Sequence, residues 1–271
     1  MPIRRIVLLG DVCGRPGRLA IQQRLPDLRR QIAADFVIVN CENAAAGYGI
    51  TSRLAAELLD SGADCLTTGD HAFDRREGWP LFDAEVRVLR PLNYPPGAPG
   101  RGSAVYDTQG FRVGVVNLQG RVFMKALDCP FRRVTPVVEE ICRQTRIMIV
   151  DFHAEATAEK QSMGWFLDGR VSAVIGTHTH VQTADERILP GGTAYITDAG
   201  MCGSFDSVLG VRKEQSLRRL IEGLPAKLDA GTGDVRLNGV LVEIDEVSGR
   251  SVSIQRISEP VELTESAQTF V

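Results

Sequence analysis

All four histidines of the chain fall in three short segments, and each segment reads as the end of a β-strand. They are His71 in T-T-G-D-H-A-F-D, His153 in I-V-D-F-H-A-E-A-T, and His178 and His180 in V-I-G-T-H-T-H. Two further strand ends carry polar coordinating groups: Asp11 after L-L-G, and Glu42 and Asn43 in I-V-N-C-E-N. Imidazole and carboxylate together are the donor set of a divalent transition metal. The number of donors points to two ions.

Each segment alone has a blander reading. Asp11 could cap the helix that follows. The turn G-R-P-G after it could hold an anion, although neither a Walker loop nor G-x-G-x-x-G is present. Glu42 could be a solvated loop residue, Asp70 an N-cap with His71 exposed, and His153 a satisfied core or rim histidine. Asp70 and His71 in succession cannot both face the core, so one can serve a metal while the other addresses a substrate. His178 and His180 weigh most. In an extended segment, residues two apart point to the same side, so G-T-H-T-H offers two imidazoles to one volume. Thr177 and Thr179 would then point away or donate hydrogen bonds to outer partners.

The elements that position these residues alternate strand and helix in the first half. Arg5 to Leu9, Phe36 to Val39 and Cys65 to Thr68 read as buried strands, being short and almost wholly apolar. Pro16 to Ala33 has helical spacing that Pro26 is expected to kink or interrupt. Thr51 or Ser52 caps a second helix running to about Asp60, with Gly62 past its end. The Pro- and Gly-rich stretch Pro91 to Gly102 is a loop, followed by a hairpin from Ala104 to Asn117 that turns at Gln109-Gly110. Strands resume at Ile147 to Phe152, Val171 to Ile175 and Thr193 to Thr197. The chain closes with strands at Gly239 to Ile244 and Ser251 to Ile257, then an extended tail from Glu259. This pattern predicts an α/β layered sandwich, two mixed β-sheets flanked by helices, in a single domain over residues 1–271. In such folds ligands bind at the carboxyl ends of the strands, where all five segments lie.

With 271 residues and 44% hydrophobic content, the chain is long enough for a large core. A net charge of −3 argues against a general nucleic-acid binder, yet leaves room for a small anionic substrate held on metal ions. No stretch approaches the roughly 20 apolar residues of a membrane span. The apolar run Ile6 to Leu9 is too short for a signal peptide, and Arg4-Arg5 is weak as a twin-arginine signal; a cytoplasmic location is expected. The six cysteines form no C-x-x-C pair and are expected as reduced thiols, with Cys41 and Cys65 packed in the core.

The residues resemble the calcineurin-like metallophosphoesterases, whose order is G-D-x-H, G-D-x-x-D, G-N-H-[DE], a lone His, and G-H-x-H. The counterparts here are Gly10-Asp11, Glu42-Asn43, Gly69-Asp70-His71, His153 and His178-Thr179-His180. Cys13 stands where the first motif has histidine, and Cys41-Glu42-Asn43-Ala44 replaces the bridging aspartate motif. With G-D-V-x-G-R-P-G-R, D-F-H-A-E-A-T and G-T-H-T-H-V-Q-T-A-D, these departures look like the YmdB-like branch, over nearly the whole chain. The resemblance implies Asp11, Asn43 and His180 on one metal, Asp70, His153 and His178 on the other, and Glu42 bridging both. It implies His71 as proton donor, and iron or manganese as the metal. Two ions about 3.5–4 Å apart would clamp a phosphate and lower the pKa of a bridging water. The implied substrates are 2′,3′-cyclic nucleotides, opened to the 3′-phosphate. Cys13 is expected to pack rather than ligate. Asp70 lies where the family usually has asparagine, and its added charge should tighten cation binding and lower Lewis acidity. A broader phosphomonoesterase or nuclease, and a non-catalytic regulatory RNA-associated protein, are the alternatives. Loops Pro91 to Gly102 and Gln119 to Pro130 are expected to set specificity, and a homo-oligomer is left open.

Overall fold

The computed structural model describes residues 2–264 apart from 109 and 226. The first half of the chain lays down β1 (Ile3–Leu9), β2 (Asp11–Val12), α1 (Gly14–Gln31), β3 (Phe36–Asn40), α2 (Ser52–Asp60), β4 (Cys65–Thr67), α3 (Trp79–Ala84), β5 (Val88–Leu89), β6 (Ser103–Asp107) and β7 (Arg112–Gln119). The second half adds α4 (Pro130–Ile141), β8 (Ile147–His153), α5 (Thr157–Leu167), β9 (Ala173–Thr177), β10 (Arg187–Ile188), β11 (Ala194–Ile196), β12 (Met201–Ser204), α6 (Lys213–Glu222), β13 (Val235–Asp245) and β14 (Ser251–Pro260).

Two mixed sheets result. In the first, β1, β3, β4 and β5 run parallel, and β13 pairs antiparallel with β1, β12 and β14. In the second, β7, β8, β9 and β11 run parallel, with β6 and β10 antiparallel at the edges. The alternation within β1 shows why its run is apolar throughout. Ile6 and Leu8 face the second sheet with Val115, Ile149 and Ile175, whereas Val7 and Leu9 face the helices with Leu25, Leu28 and Leu58. The second sheet buries its other face, Leu118, Val150 and Phe152 among them, with Val134 and Val138 of α4 and Met163 of α5. A strand covered on both faces needs apolar side chains at every position. The layers are therefore helix, sheet, sheet, helix, as the sequence predicts.

Some boundaries differ from the sequence reading. α1 passes through Pro26 without a break, because Leu25 and Leu28 beside it are fully buried and hold the helix on the sheet. α4 carries Pro130 in its first turn and Pro136 inside, breaker residues that hide its buried stripe of Val134, Val138 and Ile141. β9 starts two residues later than expected and ends at Thr177, so His178 follows it directly. The hairpin turn at Gln109 and the tail beyond 264 lie outside the described residues.

Candidate metal and phosphoester site

The site forms where both sheets present the carboxyl ends of their parallel strands. Asp11 opens β2, Glu42 and Asn43 follow β3, Asp70 and His71 follow β4, His153 ends β8, and His178 follows β9. Glu42, Asp70, His153 and His178 each turn one ligand atom into a space where all four lie within 4.8 Å of one another. His153 Nε2 stands 2.9 Å from Glu42 Oε1, 3.3 Å from Asp70 Oδ1 and 2.9 Å from His178 Nδ1. Gly69 makes this approach possible, since a Cβ there would lie 2.2 Å from both Glu42 Oε2 and the His153 ring.

Outer partners, buried Thr177 and Asp151 for His153 and exposed Glu155 for His178, decide which nitrogen of each ring faces this space. Thr177 Oγ1 donates to Asp151 Oδ1 at 2.8 Å, so it accepts from His153 Nδ1 at 2.9 Å and leaves Nε2 as the free lone pair. Asp151 also takes hydrogen bonds from Thr67 and Asn40. His178 Nε2 lies 3.1 Å from Glu155, which turns Nδ1 toward Asp70.

Asn43 and His180 meet in a second, adjacent half. Asn43 Nδ2 donates to the Gly47 carbonyl, so Oδ1 faces His180 Nε2 at 3.2 Å. His180 Nδ1 donates to the Leu209 carbonyl at 3.0 Å, which leaves Nε2 free for ligation. The Cys13 sulfur packs 3.5 Å from His180 Nδ1. Asp11 is buried between the halves. Its Oδ2 accepts from the His178 amide, while Oδ1 is 3.6 Å from His153 and has no hydrogen-bond partner. Asp11 is not a helix cap: α1 starts at Gly14 behind Cys13 with no side-chain cap.

The H-T-H segment is not extended, contrary to the sequence reading. His178 and His180 have φ of 101° and 64°, in the left-handed region. The two imidazoles are consequently sent to different halves rather than into one volume. Asp198 holds this turn: its Oδ2 accepts from Thr179 N at 3.0 Å and Thr179 Oγ1 at 2.8 Å, and pairs with the buried Lys160 at 2.6 Å. A buried ion pair adds little net stability, and what it contributes here is a fixed turn.

The electrostatics are those of a site prepared for cations. Burial alone would lower the His153 imidazole, but Glu42 and Asp70 push it well above its ordinary value. Burial would raise Glu42 and Asp70, yet the imidazoles beside them hold both below the usual carboxylate range. Burial and the charge on His153 push His178 down to about 4. Asp11 is pushed up to about 6, chiefly by burial. His180 is raised to about 10 against its burial, by the Cys13 sulfur and the Asp11 carboxylate. The clustered carboxylates and the unpartnered Asp11 oxygen fit divalent ions.

His71 sits at the rim, its amide 3.3 Å from Glu42 Oε2. Its Nδ1 is 2.8 Å from Asp74 Oδ2, which fixes the ring and leaves Nε2 as the exchangeable position. Lys125, from the loop after β7, donates to the Asp70 carbonyl at 2.6 Å and lies 3.6 Å from Asp74. The sequence reading missed Asp74, Glu155, Asp151, Lys160 and Asp198. The i to i+3 spacing of His71 and Asp74 within one turn was the available signal. Asp151 and Glu155 flank His153 in the segment D-F-H-A-E, whereas Lys160 and Asp198 are joined to the site only by tertiary structure.

The profile of the YmdB-like protein family matches residues 7–257. The chain belongs to the YmdB-like family. It is 44% identical over 253 residues to a Bacillus subtilis protein named 2′,3′-cyclic-nucleotide 2′-phosphodiesterase, covering 93% of this chain and 96% of that one. A crystal structure of a hypothetical protein from Thermus thermophilus superposes with a TM-score of 0.88 at 41% identity, covering 94% of this chain and 99% of the other. One described as a novel phosphatase, from Mycoplasma pneumoniae, gives 0.89 at 33% identity, covering 100% and 98%. The YmdB-like chain is accordingly a metal-dependent phosphoesterase, and its layered sandwich is the fold of its relatives. No described helix is long and apolar enough to cross a membrane.

Proposed function

We propose that the chain is a single metallophosphoesterase domain that hydrolyses 2′,3′-cyclic nucleotides to 3′-nucleotides in the cytoplasm, using two divalent ions, iron or manganese. The observation that carries this reading is the group of Glu42, Asp70, His153 and His178, with His71 at its edge. In it, Asp70, His153 and His178 would hold one ion, Asp11, Asn43 and His180 the other, and Glu42 would reach both. Bound there, such ions supply Lewis-acid charge to a phosphate and acidify a water at neutral pH. Asp151 and Thr177 keep the His153 lone pair aimed inward, and the Leu209 carbonyl does the same for His180. His71, steadied by Asp74, donates the proton that the departing 2′-oxygen needs as the P–O2′ bond breaks. The name of the Bacillus subtilis relative supports the substrate class. Turnover of 2′,3′-cyclic AMP, 3′,5′-cyclic AMP and p-nitrophenyl phosphate tests the reading. The first is expected to be fastest; rapid hydrolysis of the last beside negligible opening of the first contradicts it.

A further inference from the structure

One wall of the site is open, and its lining is largely apolar, with one carboxylate, Asp229, which pairs with Lys227 at 3.3 Å and accepts from Gln215 at 2.8 Å. A cavity of about 180 Å³ adjoins the second half, bordered by His71, Asn43 and His180 at its inner end. Its other walls include Tyr48, Leu209, Val211 and Leu228. Tyr48 is 43% exposed and Leu209 is 50% exposed, so large apolar groups stand beside the catalytic rim without a packing partner to cover them. Both walls are nonetheless fixed. The Tyr48 ring meets His71 edge-on with centroids 5.0 Å apart. Arg75, four residues after His71, donates to the Tyr48 carbonyl at 3.1 Å and to the Ala45 carbonyl at 3.0 Å. The facing strip is tied by the Val211–Ala230 bridge and by the Gly231 amide on the Gly210 carbonyl at 2.8 Å. The Leu209 carbonyl that orients His180 belongs to the residue whose side chain lines the cavity.

We propose that this cavity is the base subsite: the nucleobase of the substrate stacks on Tyr48, against Leu209, Val211 and Leu228, while its cyclic phosphate lies at the metal ligands. The inference rests on the cyclic-nucleotide reading above and moves specificity to segments 46–48, 209–211 and 228–230. Stacking on an aromatic ring accepts any base, because every base has a stacking face. Its size admits one base and not a dinucleotide, which favours mononucleotides over RNA.

The test compares kcat/KM of metal-loaded protein on 2′,3′-cyclic AMP and on 1-O-methyl-ribose 2′,3′-cyclic phosphate, which has the same reacting ring and no base. Wild type is expected to prefer the nucleotide by about tenfold or more, the scale of one base–aromatic stack. Tyr48→Ala is expected to bring that ratio near one, mainly through KM, and Tyr48→Phe to restore it. Leu228→Ala, from the other wall, is expected to lower the ratio several-fold. A wild-type ratio near one, or losses in both alanine variants that fall equally on the two compounds, overturns the subsite and leaves the phosphodiesterase reading intact. A wild type that opens neither compound yet hydrolyses p-nitrophenyl phosphate overturns that reading, and the subsite with it.

Discussion

The two halves of the site are built on different plans. The half formed by Glu42, Asp70, His153 and His178 is closed: His153, Glu42 and the supporting Asp151 and Thr177 are fully or almost fully buried, and the His153 ring is oriented by Thr177 and Asp151 of the second sheet, which Asn40 and Thr67 of the first hold in turn. The half formed by Asn43 and His180 is open to a cavity, and its orienting groups are the main-chain carbonyls of Gly47 and Leu209, both on loops. Strand ends hold a ligand rigidly because the sheet fixes them; loops can be reshaped without disturbing the core. The closed half thus suits metal retention, and the open half suits contact with a substrate.

Breaking the closed half should have the largest effect. Glu42→Gln removes the carboxylate that faces His153 at 2.9 Å and that, in the proposed centre, would reach both ions. It is expected to lower kcat on 2′,3′-cyclic AMP by about 10³-fold or more, with metal content falling in parallel by elemental analysis. His71→Ala acts at the rim and separates chemistry from metal binding. The expected loss is about 10²–10⁴-fold in kcat with metal content unchanged. An unchanged rate with metal bound would remove His71 from the proton-donor role.

The halves also respond to pH together. His153 and His180 are raised above the ordinary imidazole value, so in the metal-free chain both rings keep their second proton to higher pH than a free imidazole does. A nitrogen cannot hold a proton and an ion at once, so loading must release protons and affinity must fall as pH drops. Titrating manganese into metal-free protein in weak buffer at pH 7 is expected to acidify the solution, and a titration without acidification counts against the assignment. The smallest effect is expected from Asp70→Asn, which removes the charge but keeps an oxygen beside His153. Metal retention should weaken by about tenfold in competition with a chelator, while the rate per loaded site holds or rises.

The layers and the five strand-end segments were legible in the sequence because short apolar runs ending in coordinating residues admit few alternatives. The order of Asp11, Glu42, Asp70, His153 and His178 along the strands followed from that. The shape of the H-T-H turn did not: its left-handed backbone depends on Asp198 and Lys160, which lie far along the chain from each other and give no local spacing. The cavity wall was missed for a related reason. Leu209 and Leu228 look like ordinary loop residues until the Val211–Ala230 bridge brings their segments together. Specificity was instead expected in the loops at 91–102 and 119–130, of which the second reaches the rim through Lys125.

The most direct test of a two-part centre is the metal content of wild type and His180→Ala, purified side by side without chelator and measured per chain. Two ions are expected in wild type and one in the variant, retained by Glu42, Asp70, His153 and His178. A single ion in wild type, or the loss of both from His180→Ala, would contradict the division of the site into a closed half and an open one.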